Sequence, residues 1–71
     1  MTTWTRNVFS TMVNEVGWDD ETNDLIITWN NGRKSAYAGV PEDVALALSN
    51  APSVGAMINS EIKPYYQHRY L

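Results

Sequence analysis

The stretch LIITWNNGRKSAY, residues 25–37, carries the clearest structural signal in this sequence. Its first five residues are mostly β-branched, aliphatic or aromatic, which is typical of a strand. Leu25, Ile27 and Trp29 would share one face of that strand. The turn-forming triplet NNG at 30–32 follows and predicts a β-hairpin.

Two hairpin registers are compatible with this turn. A two-residue loop would pair Leu25 with Ala38. A three-residue loop, with Gly32 in the left-handed conformation, would pair Leu25 with Tyr37. We favour the second register, because it places Tyr37 on the face that already carries the aliphatic and aromatic side chains. A one-residue slip would move every side chain of the strand to the opposite face.

The residues before this hairpin predict another strand. The sequence MVNEVGW, residues 12–18, partly alternates, and the polar run DDETND at 19–24 is turn-forming. One side of the strand would hold Met12, Asn14, Val16 and Trp18.

The residues after the hairpin predict two short helices. Pro41 suits the first position of a helix, and two acidic residues follow it at the positive N-terminal end. This helix should end near Asn50, because Pro52 disfavours helical backbone at the residue before it. Ser53 is a suitable N-cap for a second helix, which Pro64 would end or kink. The apolar positions of the two helices are Val44, Leu46, Ala47, Leu48, Ala56, Met57, Ile58 and Ile62.

These elements predict an α+β fold, a three-stranded antiparallel β-meander followed by two short helices packed on one face. No linker or repeat interrupts the chain, so we expect one domain over residues 1–71. The other sheet face, with Ile26 and Thr28, would be solvated or covered by a partner, which suggests a homo-oligomer. Trp4 is either a lid on the core or an exposed interface residue, and the tail 65–71 is ambiguous.

The composition excludes several classes of protein. The 71 residues contain no cysteine, so there is no disulfide framework and no thiolate metal cluster. Five basic against eight acidic residues argue against a protein that coats phosphate backbones non-specifically. No apolar run approaches the roughly 18 residues of a membrane span, and the N-terminus does not resemble a signal peptide. We therefore expect a cytoplasmic protein, in the host cytosol if it is encoded by a bacteriophage.

The order of short motifs resembles the KTSC domain, a small module named for its occurrence at the C-terminus of some lysyl-tRNA synthetases. Such domains also occur alone in bacteria and bacteriophages. The resemblance covers about residues 8–66, and Gly-Val-Pro followed at this spacing by Ala-x-Ser-x-Gly is its most specific part. The matching positions are Ser10-Thr11, Val16-Gly17-Trp18-Asp19, Leu25 to Trp29, Asn31-Gly32, Tyr37, Gly39-Val40-Pro41, Ala51-Pro52-Ser53-Val54-Gly55, Asn59, and Ile62-Lys63 with Tyr66.

Two positions depart from that pattern. Ser35 stands where the first of two paired aromatic residues is expected, and Val54 stands where such domains often have a basic residue. Both changes weaken the transfer of a stacking or anion-binding site. The resemblance implies the fold and no particular activity.

The sequence offers little for catalysis or for a metal. His68 is the single histidine and lies three residues from the C-terminus, where a general base would lack a positioned setting. The acidic run at 19–24 lacks the central glycine and the distal glutamate of a calcium loop, so we interpret it as a solvated turn. We expect neither an enzyme nor a bound metal or cofactor.

Most candidate ligand-binding residues fall in two groups. Ser53 and Gly55 would form a helix start that can bind an anion, or an ordinary cap that packs closely. Basic residues interleaved with tyrosines can hold phosphates and stack on bases, or can simply complete a small core and keep it in solution. The complete candidate set is Arg33, Lys34, Tyr37, Ser53, Gly55, Asn59, Lys63, Tyr66 and Arg69.

Three functional hypotheses follow. The first is a non-enzymatic binding module, a phage accessory protein that sequesters a nucleotide-type immune signal such as a cyclic oligonucleotide or an NAD-derived molecule. It would be a homo-oligomer with pockets between subunits. The second is an RNA-associated module, by analogy with the synthetase-linked copies, although the net charge of −3 counts against it. The third is an inhibitor that binds a host protein through its sheet face or its acidic turn.

Overall fold

A five-stranded antiparallel sheet carries the fold in the computed structural model, which describes residues 2–71. Each strand pairs with its neighbours in sequence, so the spatial order is the sequence order. The strands are β1 Trp4–Asn7, β2 Val13–Asp19, β3 Asp24–Trp29, β4 Lys34–Tyr37 and β5 His68–Tyr70.

The prediction of three strands was wrong, because the sheet has one further strand at each edge. β1 and β5 are short, and nearly all of their residues are exposed. An edge strand pairs on one side only and buries few side chains, so its sequence shows little of the apolar alternation that marks an inner strand.

The helical segment follows the sheet's first four strands. It consists of α1 Glu42–Ser49, the four-residue α2 Val54–Met57 and a π-helix, Ile58–Ile62. Pro41 is the N-cap of α1 rather than its first residue, and its carbonyl accepts hydrogen bonds from the amides of Val44 and Ala45. Asn50 follows the end of α1 closely, as the sequence predicts.

The central hairpin adopts the favoured register. Leu25 lies opposite Tyr37, and the Trp29 amide donates a 2.8 Å hydrogen bond to the Arg33 carbonyl. Gly32 has a φ of 88°, the left-handed conformation that the three-residue loop requires. The local turn chemistry was therefore sufficient to predict this part of the sheet.

A β-bulge in β2 overturns one prediction about side-chain faces. The pairing of β2 with β3 shifts between Val13 and Glu15, so the simple alternation from residue 12 onward is broken. Val13 and Val16 are both fully buried, whereas Asn14 and Met12 are exposed. Met12 and Asn14 therefore do not share the buried side of Val16.

The core lies between one sheet face and the helical segment. Among the described residues, twelve apolar side chains form this buried cluster: Val13, Val16, Trp18, Leu25, Ile27, Tyr37, Val40, Ala45, Leu48, Val54, Ile58 and Ile62. Leu46, Ala47 and Ala56 were predicted on the apolar faces of the helices and are exposed instead. Val54 is almost fully buried, so the position that is often basic in KTSC domains here supplies packing volume.

Two tryptophans link the sheet to α1 and to the residues just before it. The Trp18 indole N–H donates a 2.8 Å hydrogen bond to the Val40 carbonyl. Trp4 is half-buried against the core, and its indole N–H donates to Glu42 at 3.1 Å. Trp4 is therefore a lid on the core in this chain.

The strand register divides the sheet into two faces. On the helix face, Leu25, Tyr37 and His68 form one row across β3, β4 and β5. On the other face, the corresponding row is Ile26, Ala36 and Arg69. None of the helices formed by the described residues is long and apolar enough to span a bilayer.

Candidate functional site

An open groove of about 320 Å³ lies between the end of the sheet and the π-helix. We call it the aromatic groove, because four aromatic rings line it. Its lining residues are Met12, Trp29, Ser35, Tyr37, Ile58, Asn59, Lys63, His68 and Tyr70.

The pairing of β4 with β5 builds the aromatic wall of this groove. Tyr37 lies opposite His68, and Ser35 lies opposite Tyr70, so all four side chains project from the helix face. The Tyr37 and His68 ring centroids are 5.0 Å apart, and the His68 ring meets the Tyr70 ring edge-on at 4.6 Å. Such tilted and edge-to-face arrangements are favourable for aromatic pairs.

Ser35 forms part of the groove floor. It is fully buried, and its hydroxyl accepts a 2.8 Å hydrogen bond from the Trp29 indole N–H. That bond fixes the orientation of the Trp29 ring beside the groove. An aromatic residue was expected at position 35 from the family pattern. The small side chain of Ser35 instead allows the Trp29 ring to approach closely.

The π-helix supplies the opposite wall. The Lys63 amide donates to the Ile58 carbonyl at 2.7 Å, the i to i+5 spacing of a π turn. Ile58 and Ile62 are buried in the core, while Asn59 and Lys63 are exposed and line the groove. A single π turn of this kind is often found at functional sites.

The groove is aromatic and carries one fixed positive charge. Lys63 is the one lysine or arginine among its lining residues, and no carboxylate lines it within the described chain. Burial, with a smaller contribution from the neighbouring Tyr70, raises the pKa of the Tyr37 hydroxyl above its ordinary value of 10. Tyr37 therefore stays neutral and keeps its hydrogen-bond donor at physiological pH.

The structure brings three of the predicted ligand-binding residues into the aromatic groove. These are Tyr37, Asn59 and Lys63. Tyr66 is half-buried and packs against the core instead. Three predicted cations also lie elsewhere: Arg33 and Lys34 are exposed next to the hairpin turn, and Arg69 belongs to the opposite sheet face.

Ser53 and Gly55 line a second, adjoining groove of about 480 Å³, which also includes Asn59 and the fully exposed Phe9. The Ser53 hydroxyl accepts a 3.4 Å hydrogen bond from the Ala56 amide, which confirms its predicted role as a cap. Since α2 has only four residues, its N-terminus has few aligned peptide dipoles with which to attract an anion.

Six residues of the groove were not in the predicted ligand-binding set: Met12, Trp29, Ser35, Ile58, His68 and Tyr70. One available signal was the alternation of His68, Arg69 and Tyr70, which would place both rings on one face of a strand. His68 was treated as a solvated terminal residue. It is exposed, as expected there, and it is also in contact with two aromatic rings.

The acidic run at 19–24 is organised by hydrogen bonds within the protein. Asp19 accepts a 2.9 Å hydrogen bond from the Glu21 amide, and Asp24 accepts two from the Arg69 guanidinium. Among residues 2–71, no three carboxylate or imidazole groups converge as a metal site would require.

Comparison with known proteins agrees with the motif order and the fold. The family model of the KTSC domain matches residues 9–66. The chain belongs to the KTSC domain family. The predicted family resemblance is thereby confirmed.

A solved structure extends the similarity to nearly the whole chain. The crystal structure of a KTSC domain protein from Yersinia pestis matches with a TM-score of 0.86 at 25% sequence identity, and the match covers 96% of each chain. No curated protein matches this sequence. This KTSC domain thus shares its α+β fold with the Yersinia pestis protein over nearly the whole chain.

Proposed function

We propose that this KTSC domain is a non-enzymatic binding module that captures a nucleotide-type small molecule in the aromatic groove. Among the residues that the structure describes, four aromatic rings and a single lysine surround one opening without a carboxylate, and this combination carries the proposal. A nucleotide presents a flat base that stacks on aromatic rings and an anionic phosphate that pairs with a cation.

In this proposal, the two walls of the groove would contact different parts of the ligand. The Tyr70 ring, which is about two-thirds exposed, is an accessible stacking surface and would contact the base. Lys63 on the π-helix would contact the phosphate, and Asn59 one turn earlier offers an amide donor and acceptor to the base edge. A groove of about 320 Å³ is at the small end of ligand sites, so one nucleotide unit is the largest piece it would enclose.

The proposal includes capture and no chemical turnover. The buried hydroxyl of Ser35 accepts the Trp29 indole N–H, and the His68 ring packs against two tyrosines. Among residues 2–71, neither side chain is hydrogen-bonded to a group that would activate it as a nucleophile or a base, as covalent or acid–base catalysis requires. This arrangement supports a binding role.

Capture without turnover is the property that a sequestering protein needs. The proposal therefore extends to the sequestration of a nucleotide-type immune signal by a phage-encoded copy of this module. A ligand with two or three bases would need the grooves of more than one copy, which is why we retain a homo-oligomer in the proposal.

The distribution of positive charge favours a small ligand over an RNA strand. Lys63 lies at the aromatic groove, Arg33 and Lys34 lie beside the hairpin turn, and Arg69 is paired with Asp24 on the other face. Binding of an RNA backbone would need a continuous basic track that contacts several phosphates.

Native mass spectrometry at low and moderate salt tests the proposal directly. The probes are adenosine monophosphate, a cyclic dinucleotide and NAD. We expect complexes whose mass increases by whole ligands, and a Lys63→Ala variant that binds about tenfold more weakly. The matched control is Lys34→Ala, which removes an exposed lysine from the opposite face of the sheet and should bind as the wild type does. Absence of binding to every probe, or equal loss in both variants, would refute the proposal.

A further inference from the structure

We infer that the Asp24–Arg69 ion pair is a positioning clamp that holds the β5 wall of the aromatic groove in place from the opposite face of the sheet. Its relevance to ligand binding rests on the proposed function. Its structural part does not rest on that function: the ion pair on one face of the sheet controls the positions of the His68 and Tyr70 rings on the other face.

The contacts of the pair are specific. The two Arg69 guanidinium nitrogens donate to the two carboxylate oxygens of Asp24, at 2.7 and 3.4 Å. The Asp24 side chain is only 10% exposed, whereas that of Arg69 is 53% exposed. A bidentate contact of this kind fixes orientation as well as distance.

The place of Arg69 in its strand connects this pair to the groove. Arg69 lies between His68 and Tyr70, and successive side chains of a strand point to opposite faces. A guanidinium held on one face therefore fixes both rings on the other face. β5 needs such a restraint, because it has three residues, all exposed, at the edge of the sheet.

The Arg69 side chain of β5 has to cross β4 to reach Asp24 of β3, and β4 has a small residue at the crossing point. In the register, Ala36 of β4 lies between Ile26 and Arg69, and the Arg69 side chain must pass this row to reach Asp24. Ala36 is fully buried although it faces away from the helices. A small residue at this position allows the long arginine side chain to lie close to the sheet.

The ion pair connects the edge strand β5 to the inner strand β3. Asp24 begins β3, whose next residue, Leu25, is fully buried in the core. β5 is thus tied to β3 as well as to its neighbour β4, with which it forms its backbone pairs. Removal of the ion pair should leave the core intact and allow β5 to separate from β4 more often, as chain ends commonly do.

Nuclear magnetic resonance of the ligand-free protein tests the structural part. In Arg69→Gln, we expect the ring-proton shifts of His68 and Tyr70 to move toward those of unstructured peptides, and the β5 amides to exchange faster. The indole N–H signal of Trp18, which is bonded to Val40 in the core, should stay unchanged and so report an intact fold. Unchanged His68 and Tyr70 rings in Arg69→Gln would overturn the clamp.

Two further variants separate the clamp from a general effect of charge. Lys34→Gln removes a cation from the same sheet face, next to β5 in the register, and should leave the rings in place. Arg69→Lys retains the positive charge but cannot make the bidentate contact, so its His68 and Tyr70 rings should be more ordered than in Arg69→Gln and less ordered than in the wild type. Ring movement of equal size in Lys34→Gln would also contradict the inference.

Binding of adenosine monophosphate then tests the functional part. The observed affinity falls in proportion to the fraction of molecules with an ordered groove, so we expect a loss of about fivefold in Arg69→Gln. If the wild type does not bind this probe, the proposed function loses its support while the ring shifts still decide the clamp. If the rings lose order and affinity does not change, the role of the clamp in binding is refuted.

Discussion

The β3–β4 hairpin and the edge strand β5 belong to the same sheet but are held by different interactions. The hairpin has a turn set by Gly32 and strands whose Leu25 and Ile27 are fully buried under the helices. β5 has three exposed residues, a ladder with one neighbour and the Arg69–Asp24 ion pair. The comparison teaches that stability is concentrated in the hairpin, whereas the shape of the groove depends on the weaker edge.

The largest change in the free energy of unfolding is expected for a substitution in the buried part of the hairpin. Leu25→Ala should lower the free energy of unfolding by about 2–5 kcal/mol, because it leaves a cavity at a fully buried position. Urea denaturation measures this loss. Leu46→Ala is the matched control at a 38% exposed position and should cost much less. Equal costs would show that stability is not concentrated as the comparison states.

The hairpin turn should give the next largest effect. Gly32→Ala places a side chain at a φ of 88°, which should cost about 1–2 kcal/mol in unfolding free energy. Gly55→Ala is the control, since Gly55 lies in α2 without a positive φ, and a Cβ there would make only an ordinary 3.8 Å contact with Met12 Sδ. We expect that control to be neutral or stabilising by thermal unfolding. A neutral Gly32→Ala would mean that the turn does not determine the register.

The same comparison explains which features the sequence predicts. The hairpin register and the Ser53 cap depend on residues within a few positions of one another, and both were predicted correctly. β5 lies about 30 residues after its partner β4, and nothing in its short polar sequence specifies that pairing. The β-bulge in β2 was missed for a related reason, since it appears only when two strands are compared.

The candidate site was predicted only in part for the same physical reason. Lys63 and Asn59 are one turn apart on a helix, so their proximity is local and could be anticipated from sequence. The groove also needs Trp29 and Tyr70, which come together through sheet register alone. Ser35 was interpreted as the loss of an aromatic residue, although its hydroxyl positions the ring of Trp29.

A smaller effect should follow from the loss of that hydroxyl. Ser35→Ala leaves the Trp29 indole N–H without its acceptor, which should cost about 1 kcal/mol and shift the indole resonance. Ser60→Ala removes an exposed hydroxyl that donates to a helix carbonyl, and it should cost less. If the two variants unfold at the same urea concentration, the buried hydrogen bond contributes little.

The smallest effect concerns the pH dependence of the clamp. The Arg69 guanidinium holds the pKa of the Asp24 carboxyl below its ordinary value of 3.8, with a further contribution from Thr22 and against the opposing effect of burial. The charged groups that face this carboxyl are Arg69 and the paired Asp19, whose own pKa is lowered chiefly by the Glu21 amide. A carboxyl whose pKa is lower in the folded state stabilises the fold at neutral pH. That contribution starts to disappear below about pH 4 and is lost as the pH falls through the folded pKa.

The difference in Tm between the wild type and Asp24→Asn therefore measures, as a function of pH, how much the Asp24–Arg69 ion pair stabilises the fold. At pH 7, we expect the Tm of the wild type to be higher by no more than a few degrees, because Arg69 is half-exposed and its ion pair is screened by solvent. The difference should shrink as the pH falls below about 4 and the Asp24 carboxylate of the wild type is protonated. Over the same interval the His68 and Tyr70 ring shifts of the wild type should approach those of Asp24→Asn. A Tm difference that is constant with pH would mean that the carboxylate charge does not restrain β5, and the contrast between a stable hairpin and a clamped edge would then rest on backbone pairing alone.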